Sequence, residues 1–127
     1  MEPSRMSALL SLDPEDRYWH TVDRVAETGM LWALHGETGW LTQIAPEGFE
    51  YMPLWPDRAL AQLLADLLFP GATPTEITLD AFRGEWIDDL DGDNVHVGVF
   101  PDQDALFWDS GAVAFYDAIE EALQTRI

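Results

Sequence analysis

The chain of 127 residues carries 24 Asp and Glu against six Arg and no Lys, a formal net charge of −18. With Arg at 5, 17, 24, 58, 83 and 126, no basic patch can form from sequence neighbours, which excludes nucleic acid and anionic membranes as partners. The length suits one domain, the 47 % hydrophobic content with six Trp and six Phe supplies one core, and the absence of Cys removes disulfides, thiolate catalysis and zinc–thiolate sites.

Residues 1–12 read as an N-terminal lead, partly disordered, with Met6 as an alternative start; residues 13–127 read as a single domain. No signal peptide or membrane-spanning run is present in this sequence, so a cytoplasmic location is expected. Asp13-Pro14-Glu15-Asp16 opens a helix, with Asp as N-cap, Pro at the first helical position and acids against the positive helix end. Tyr18, Val22, Val25 and Ala26 recur at helical spacing until Gly29 ends the element. Met30–Leu34 and Trp40–Ile44 read as strands joined by the Gly36-Glu37-Thr38-Gly39 turn, and Phe49–Leu54 as a third, together an antiparallel meander.

Pro56-Asp57 opens a helix whose Leu60, Leu63, Leu64, Leu67 and Leu68 form a broad apolar stripe up to Pro70-Gly71. Glu76–Leu79 reads as a brief strand leading into a helix near Asp80, with Leu79, Phe82, Trp86 and Leu90 on one face. Val95, Val97 and Val99 alternate with His96 and Gly98 as a half-buried strand does. Ala105–Trp108 reads as a weaker strand, followed by a helix capped by Ser110 with Val113, Tyr116, Ile119 and Leu123 inward. The order α-β-β-β-α-β-α-β-β-α predicts an α+β domain, with helices on one antiparallel or mixed sheet of about five strands.

Several runs in this order resemble a small bacterial family. They are Arg17-Tyr18 with Val22 and Val25, Leu31-Trp32-Ala33-Leu34, Gly39-Trp40, Met52-Pro53-Leu54-Trp55-Pro56, Ile77-Thr78-Leu79-Asp80 with Phe82 and Trp86, and Val95 to Pro101. The family is the domain of unknown function 2750, and the layout is similar to the SseB N-terminal domain. The resemblance spans most of residues 13–124. It implies the α+β fold and brings no catalytic residue.

Candidate chemistry is sparse. Asp88, Asp89, Asp91, Asp93 and Asn94 suggest calcium, but an EF-hand loop started at Asp89 would have Asn94 at the glycine position and Phe100 at the bidentate glutamate position, so a solvated helix-to-strand turn fits better. His20, His35 and His96 lack the i, i+4 spacing of a helical metal site, and Ser110 lacks the Gly-x-Ser-x-Gly elbow. No catalytic residue, metal or cofactor is assigned. The aromatic residues carry more. Trp86 suits core packing and the alternation around Trp32 does not read cleanly, whereas Tyr51-Met52-Pro53-Leu54-Trp55-Pro56 reads as a strand that stops at a sheet boundary, its prolines restricting pairing. The candidate binding residues are therefore Trp40, Tyr51, Met52 and Trp55 as anchors, with Glu50 and Asp57 in an acidic rim that also holds Glu47.

The acidity is open to two readings: a surface that meets a basic protein, as in an immunity or inhibitor protein, or a lysine-poor composition from a high G+C or salt-adapted proteome. The functional expectation is a protein-binding or regulatory module. The alternatives are a small-molecule or peptide domain with an aromatic pocket, and an enzyme using Asp80 and Glu85 beside Trp86.

Overall fold

The computed structural model describes residues 1–125. Helix α1 (Pro3–Leu10) occupies the stretch read as a lead. Helix α2 (Pro14–Thr28) begins at Asp13, although the Asp13 side chain makes no capping hydrogen bond, and ends where Gly29 turns left-handed at φ 72°. Strands β1 (Met30–Gly36), β2 (Gly39–Trp40), β3 (Gln43–Ile44) and β4 (Glu50–Leu54) precede α3 (Arg58–Leu68) and β5 (Thr73–Thr78). A continuous helical segment follows: α4 (Leu79–Ala81), a π turn over Phe82–Trp86, and α5 (Ile87–Gly92). Strands β6 (Val95–Val99) and β7 (Trp108–Ser110) and helix α6 (Ala112–Thr125) complete the α+β fold.

Two sheets replace the expected single one: β2-β1-β5, wholly antiparallel, and β3-β4-β6-β7, in which β4 and β6 run parallel. The three-strand meander does not form. Trp40–Ile44 splits, β2 pairing with β1 and β3 with β4, while a single bridge joins Trp32 of β1 to Trp55, the residue after β4. There the Trp32 amide donates to Trp55 O at 2.9 Å and the Trp55 amide donates to Trp32 O at 2.8 Å. A parallel pair needs a long crossover, and here it runs through α3, β5 and the helical segment to β6.

This topology overturns the reading of Tyr51–Pro56 as a sheet boundary. Strand β4 is interior, between β3 and β6. Pro53 is tolerated because of where its nitrogen falls. Leu54 O accepts from Phe100 N on the β6 side, whereas Trp55 bonds Trp32 on the other. By alternation Pro53 shares the side of Trp55, beyond β3, which pairs only with Glu50 and Tyr51, so its missing N–H breaks no ladder bond.

The core joins Val22 and Val25 of α2, Leu31 and Leu34 of β1, Met52 and Leu54 of β4, Leu60 and Leu64 of α3, Phe82, Val97, Val99, Phe115 and Ile119. On α3 the fully buried stripe is narrower than expected, with Ala61 and Ala65 beside Leu60 and Leu64 while Leu67 is exposed. On α6 the inward face is Ala112, Phe115 and Ile119, and Val113 is exposed. Residues 105–107 form a loop, and Ser110 belongs to β7, its hydroxyl donating to Gly111 O rather than capping α6. Strand β6 is buried on both faces from Val97 onward. A Cβ on Gly98 would stand 2.5 Å from the Tyr51 ring, so only glycine lets that ring lie across the strand, 4.1 Å from Phe107 between centroids.

Candidate functional site

A cleft lined by two indoles and four carboxylates is the strongest candidate. Its volume is about 580 Å³. Trp40 and Trp86 form one wall, their rings edge to face at 4.7 Å and 89°. The floor is apolar, from Met52, Leu90 and Val95, and the carboxylates are Glu50, Glu85, Asp89 and Asp93. No basic residue lines it.

Each wall has a local cause. The Gly36–Gly39 turn, with Gly39 at φ 124°, folds β2 back on β1 and sets Trp40 opposite His35. The two rings meet at 5.3 Å, edge to face, and Trp40 stays 37 % exposed. Trp86 closes the π turn, where the Ile87 amide reaches Phe82 O five residues back. That wider turn holds Phe82 in the core and Trp86 half-buried against Trp40. π turns recur at functional sites because they re-aim a side chain without ending the helix. Glu50 is held by the Thr42 hydroxyl, which donates to Oε2 at 2.7 Å. Asp89 lies in the first turn of α5 and Asp93 caps its end, where Asn94 takes a left-handed φ of 57° to lead into β6.

Of the residues expected to bind, Trp40, Glu50 and Met52 come together here, with Met52 fully buried in the floor. Tyr51, Trp55 and Asp57 do not join them. Tyr51 points to the other face of the sheet and packs on Phe107, where burial raises its phenol pKa. Trp55 is wholly buried and its indole N–H donates to Pro101 O at 3.0 Å, which makes it a core anchor and not a contact residue. Asp57 accepts from Arg24 Nε at 3.1 Å, at the start of α3. Glu47 lines a separate hollow. Trp86, Glu85, Asp89 and Asp93 are the partners that sequence reading did not connect to Trp40. Their helical spacing places them on adjoining turns, but nothing in the chain records that β2 lies against that helix.

The other candidate groups sit apart from the cleft. Asp80 lies 3.8 Å from Arg83 and is not among the lining residues, so it does not form a carboxylate pair with Glu85. His96 Nδ1 is 2.7 Å from Asp109 Oδ1, and its ring stacks on Phe49 at 4.5 Å. Among the described residues no three His, Asp or Glu are grouped to hold a metal ion. No described helix is long and apolar enough to cross a membrane.

Arg17 is buried to 1 % exposure in a position that sequence reading passed over. Its Nε donates to Phe100 O at 3.0 Å, Nη2 to Leu106 O at 2.9 Å and Nη1 to Leu12 O, with Asp102 3.6 Å away. Asp102 in turn accepts from the Asp104 and Leu106 amides at 2.9 and 3.0 Å. This network ties the 100–107 loop to the start of α2, and the available signal was that Arg17 shares its helical face with Thr21, which is also buried.

A search of curated proteins returns no match. A family model does match, described as a protein of unknown function (DUF2750), over residues 18–119, a span that contains β1 to β7 and every residue of the cleft. The chain belongs to the DUF2750 family.

Proposed function

We propose that this protein is a binding module that captures a cationic side chain, Arg or Lys, of a basic partner protein in the Trp40–Trp86 cleft. One observation carries the reading: two indoles and four carboxylates line a single cleft that contains no basic residue. A guanidinium or ammonium held within about 6 Å of an indole face gains from the ring quadrupole, and adjacent carboxylates complete its hydrogen bonding. The net charge of −18 would steer such a partner toward the surface and speed capture. An inhibitor of a basic protein, acting in the cytoplasm, is the form of module this chemistry suits best.

A small cationic molecule is the second reading, favoured by the cleft volume, which lies within the range of about 300–1,000 Å³ typical of ligand sites. Carboxylate catalysis has less support, because Asp80 lies outside the cleft.

The test uses an arginine-rich peptide and tetramethylammonium as probes, read by Trp fluorescence in wild type and in Trp40→Ala. Trp40→Ala leaves every charge in place, so unspecific attraction to an acidic surface is the same in both. A loss of peptide affinity of about tenfold or more in the folded variant supports the cleft. Equal affinity in both proteins overturns it. Tight binding of tetramethylammonium that is lost in Trp40→Ala, with peptide affinity unchanged, replaces the protein partner by a small cation.

A further inference from the structure

A second cleft has the opposite chemistry. With 24 acids and six Arg in the chain, every Arg has ample opportunity to find a carboxylate. Among the described residues Arg17 pairs with Asp102, Arg24 with Glu27 and Asp57, and Arg83 with Asp80. Arg5 and Arg58 have no ion-pair partner there. Both line one cleft of about 630 Å³ between α1, α2 and the start of α3, and Arg24 lines it with them. Three of the five described Arg thus line one cleft. The cleft's two carboxylates are Glu2 and Asp57, and that of Asp57 is already engaged by Arg24 Nε at 3.1 Å.

One further feature points the same way. Because Asp57 turns to Arg24, it makes no side-chain cap on the 11-residue helix α3, so the first turn of that helix offers its amides beside Arg58 and Ala59. The adjoining hollow, which Arg5 and Arg24 also line, holds the carboxylates Asp23 and Glu27 and the buried His20 Nε2, so the anion site is confined to the Arg5–Arg58 cleft.

We propose that this cleft binds the phosphate group of a small phosphorylated ligand, with Arg5 and Arg58 as its principal ligands, Arg24 beside them and the first-turn amides of α3 behind. Guanidiniums arriving from three different helices surround a tetrahedral oxyanion on several sides, whereas a planar carboxylate would engage one fork. Helix N-terminal amides favour the same charge. The site is independent of the Trp40–Trp86 cleft and shares no residue with it.

The experiment is calorimetric titration of the full chain with inorganic phosphate and with glycerol phosphate, against sodium chloride at equal ionic strength. The chloride arm matters because any salt relieves repulsion in so acidic a chain. Arg58→Gln and Arg5→Gln are compared with Arg83→Gln, which removes a cation elsewhere. Saturable phosphate binding that weakens about tenfold in Arg58→Gln or Arg5→Gln and is unchanged in Arg83→Gln supports the site. Tighter binding of glycerol phosphate identifies an organic phosphoester as the natural source, and tighter inorganic phosphate a free anion. No heat beyond the chloride control, or equal loss in Arg83→Gln, overturns the proposal.

Discussion

At the scale of single residues, Arg17 is the most deeply buried charge among the described residues. A guanidinium can satisfy three carbonyls at once because its five donors lie in a fixed plane, and the Arg17 acceptors Leu12, Phe100 and Leu106 come from two separate segments. Replacing it orphans those carbonyls and leaves Asp102 buried opposite no cation. Arg17→Met is expected to lose about 3 kcal/mol or more in urea unfolding, and Arg17→Lys to recover a minor part of it, since an ammonium cannot span the same acceptors. A loss below about 1 kcal/mol in Arg17→Met would show that the network adds little.

His20 gives a pH signature. Burial holds its imidazole pKa below the usual histidine value, with Arg5 and Arg24 adding to the effect and Asp57 and Asp23 opposing it. The unfolded chain therefore binds a proton at His20 before the folded one does. The stability tied to the neutral ring is complete above about pH 6.5 and is lost as pH falls through the lower folded value. Wild type should lose stability relative to His20→Leu on acidification from neutral pH to about pH 5, measured by paired urea melts so that the shared carboxylate titration cancels. Parallel pH profiles for the two proteins would contradict this.

At the scale of elements, the helical segment from Leu79 to Gly92 combines two requirements: Phe82 in the core and Trp86 at the cleft. Gly84 lies in the middle of its π turn with no positive φ and no atom near the place of a Cβ. Gly84→Ala is therefore expected to stabilise the protein by about 0.5–1 kcal/mol, because the unfolded chain loses freedom and the folded one loses nothing. Thermal unfolding checks it, and destabilisation would mean that the turn depends on glycine.

The elements also show what the sequence could convey. The start of α2 at Asp13-Pro14, its end at Gly29 and the valine alternation of β6 were legible because caps, left-handed glycines and side-chain period act within a few residues. The partner of β4 was not. Hydrophobic pattern says that Glu50–Leu54 is a strand, but its parallel neighbour β6 is some forty residues on, and no local signal selects it over the nearer β1. The same gap separated the candidate site into halves: Trp40 was visible as a hairpin aromatic and Trp86 as part of a helical face, and only the tertiary fold joins them. Tyr51 and Trp55 were placed at an edge because the neighbouring prolines suggested one, whereas Pro53 fills a gap in an interior strand.

At the scale of the whole molecule, charge sets the terms. Twenty-four carboxylates on 127 residues repel one another in the compact state more than in the extended one. Sodium chloride should raise the unfolding midpoint steadily toward about 1 M, where the screening length falls to about 3 Å. A flat response would show that the acids are spaced widely enough for their repulsion not to matter. The two clefts fit this field differently, one adding to the negative potential and the other interrupting it with Arg5, Arg24 and Arg58.

The bridge between Trp32 and Trp55 is the one place where the two sheets exchange backbone hydrogen bonds among the described residues, and it consists of two such bonds. Trp55 is wholly buried and Trp32 packs against the core, and each amide is held in a backbone hydrogen bond across the bridge. In deuterated buffer they act as a gauge of cooperativity. If the Trp32 and Trp55 amides exchange only as slowly as global unfolding allows, the sheets open as one unit; if they exchange faster than the β4–β6 ladder, the molecule contains two separable folding units hinged at a pair of tryptophans.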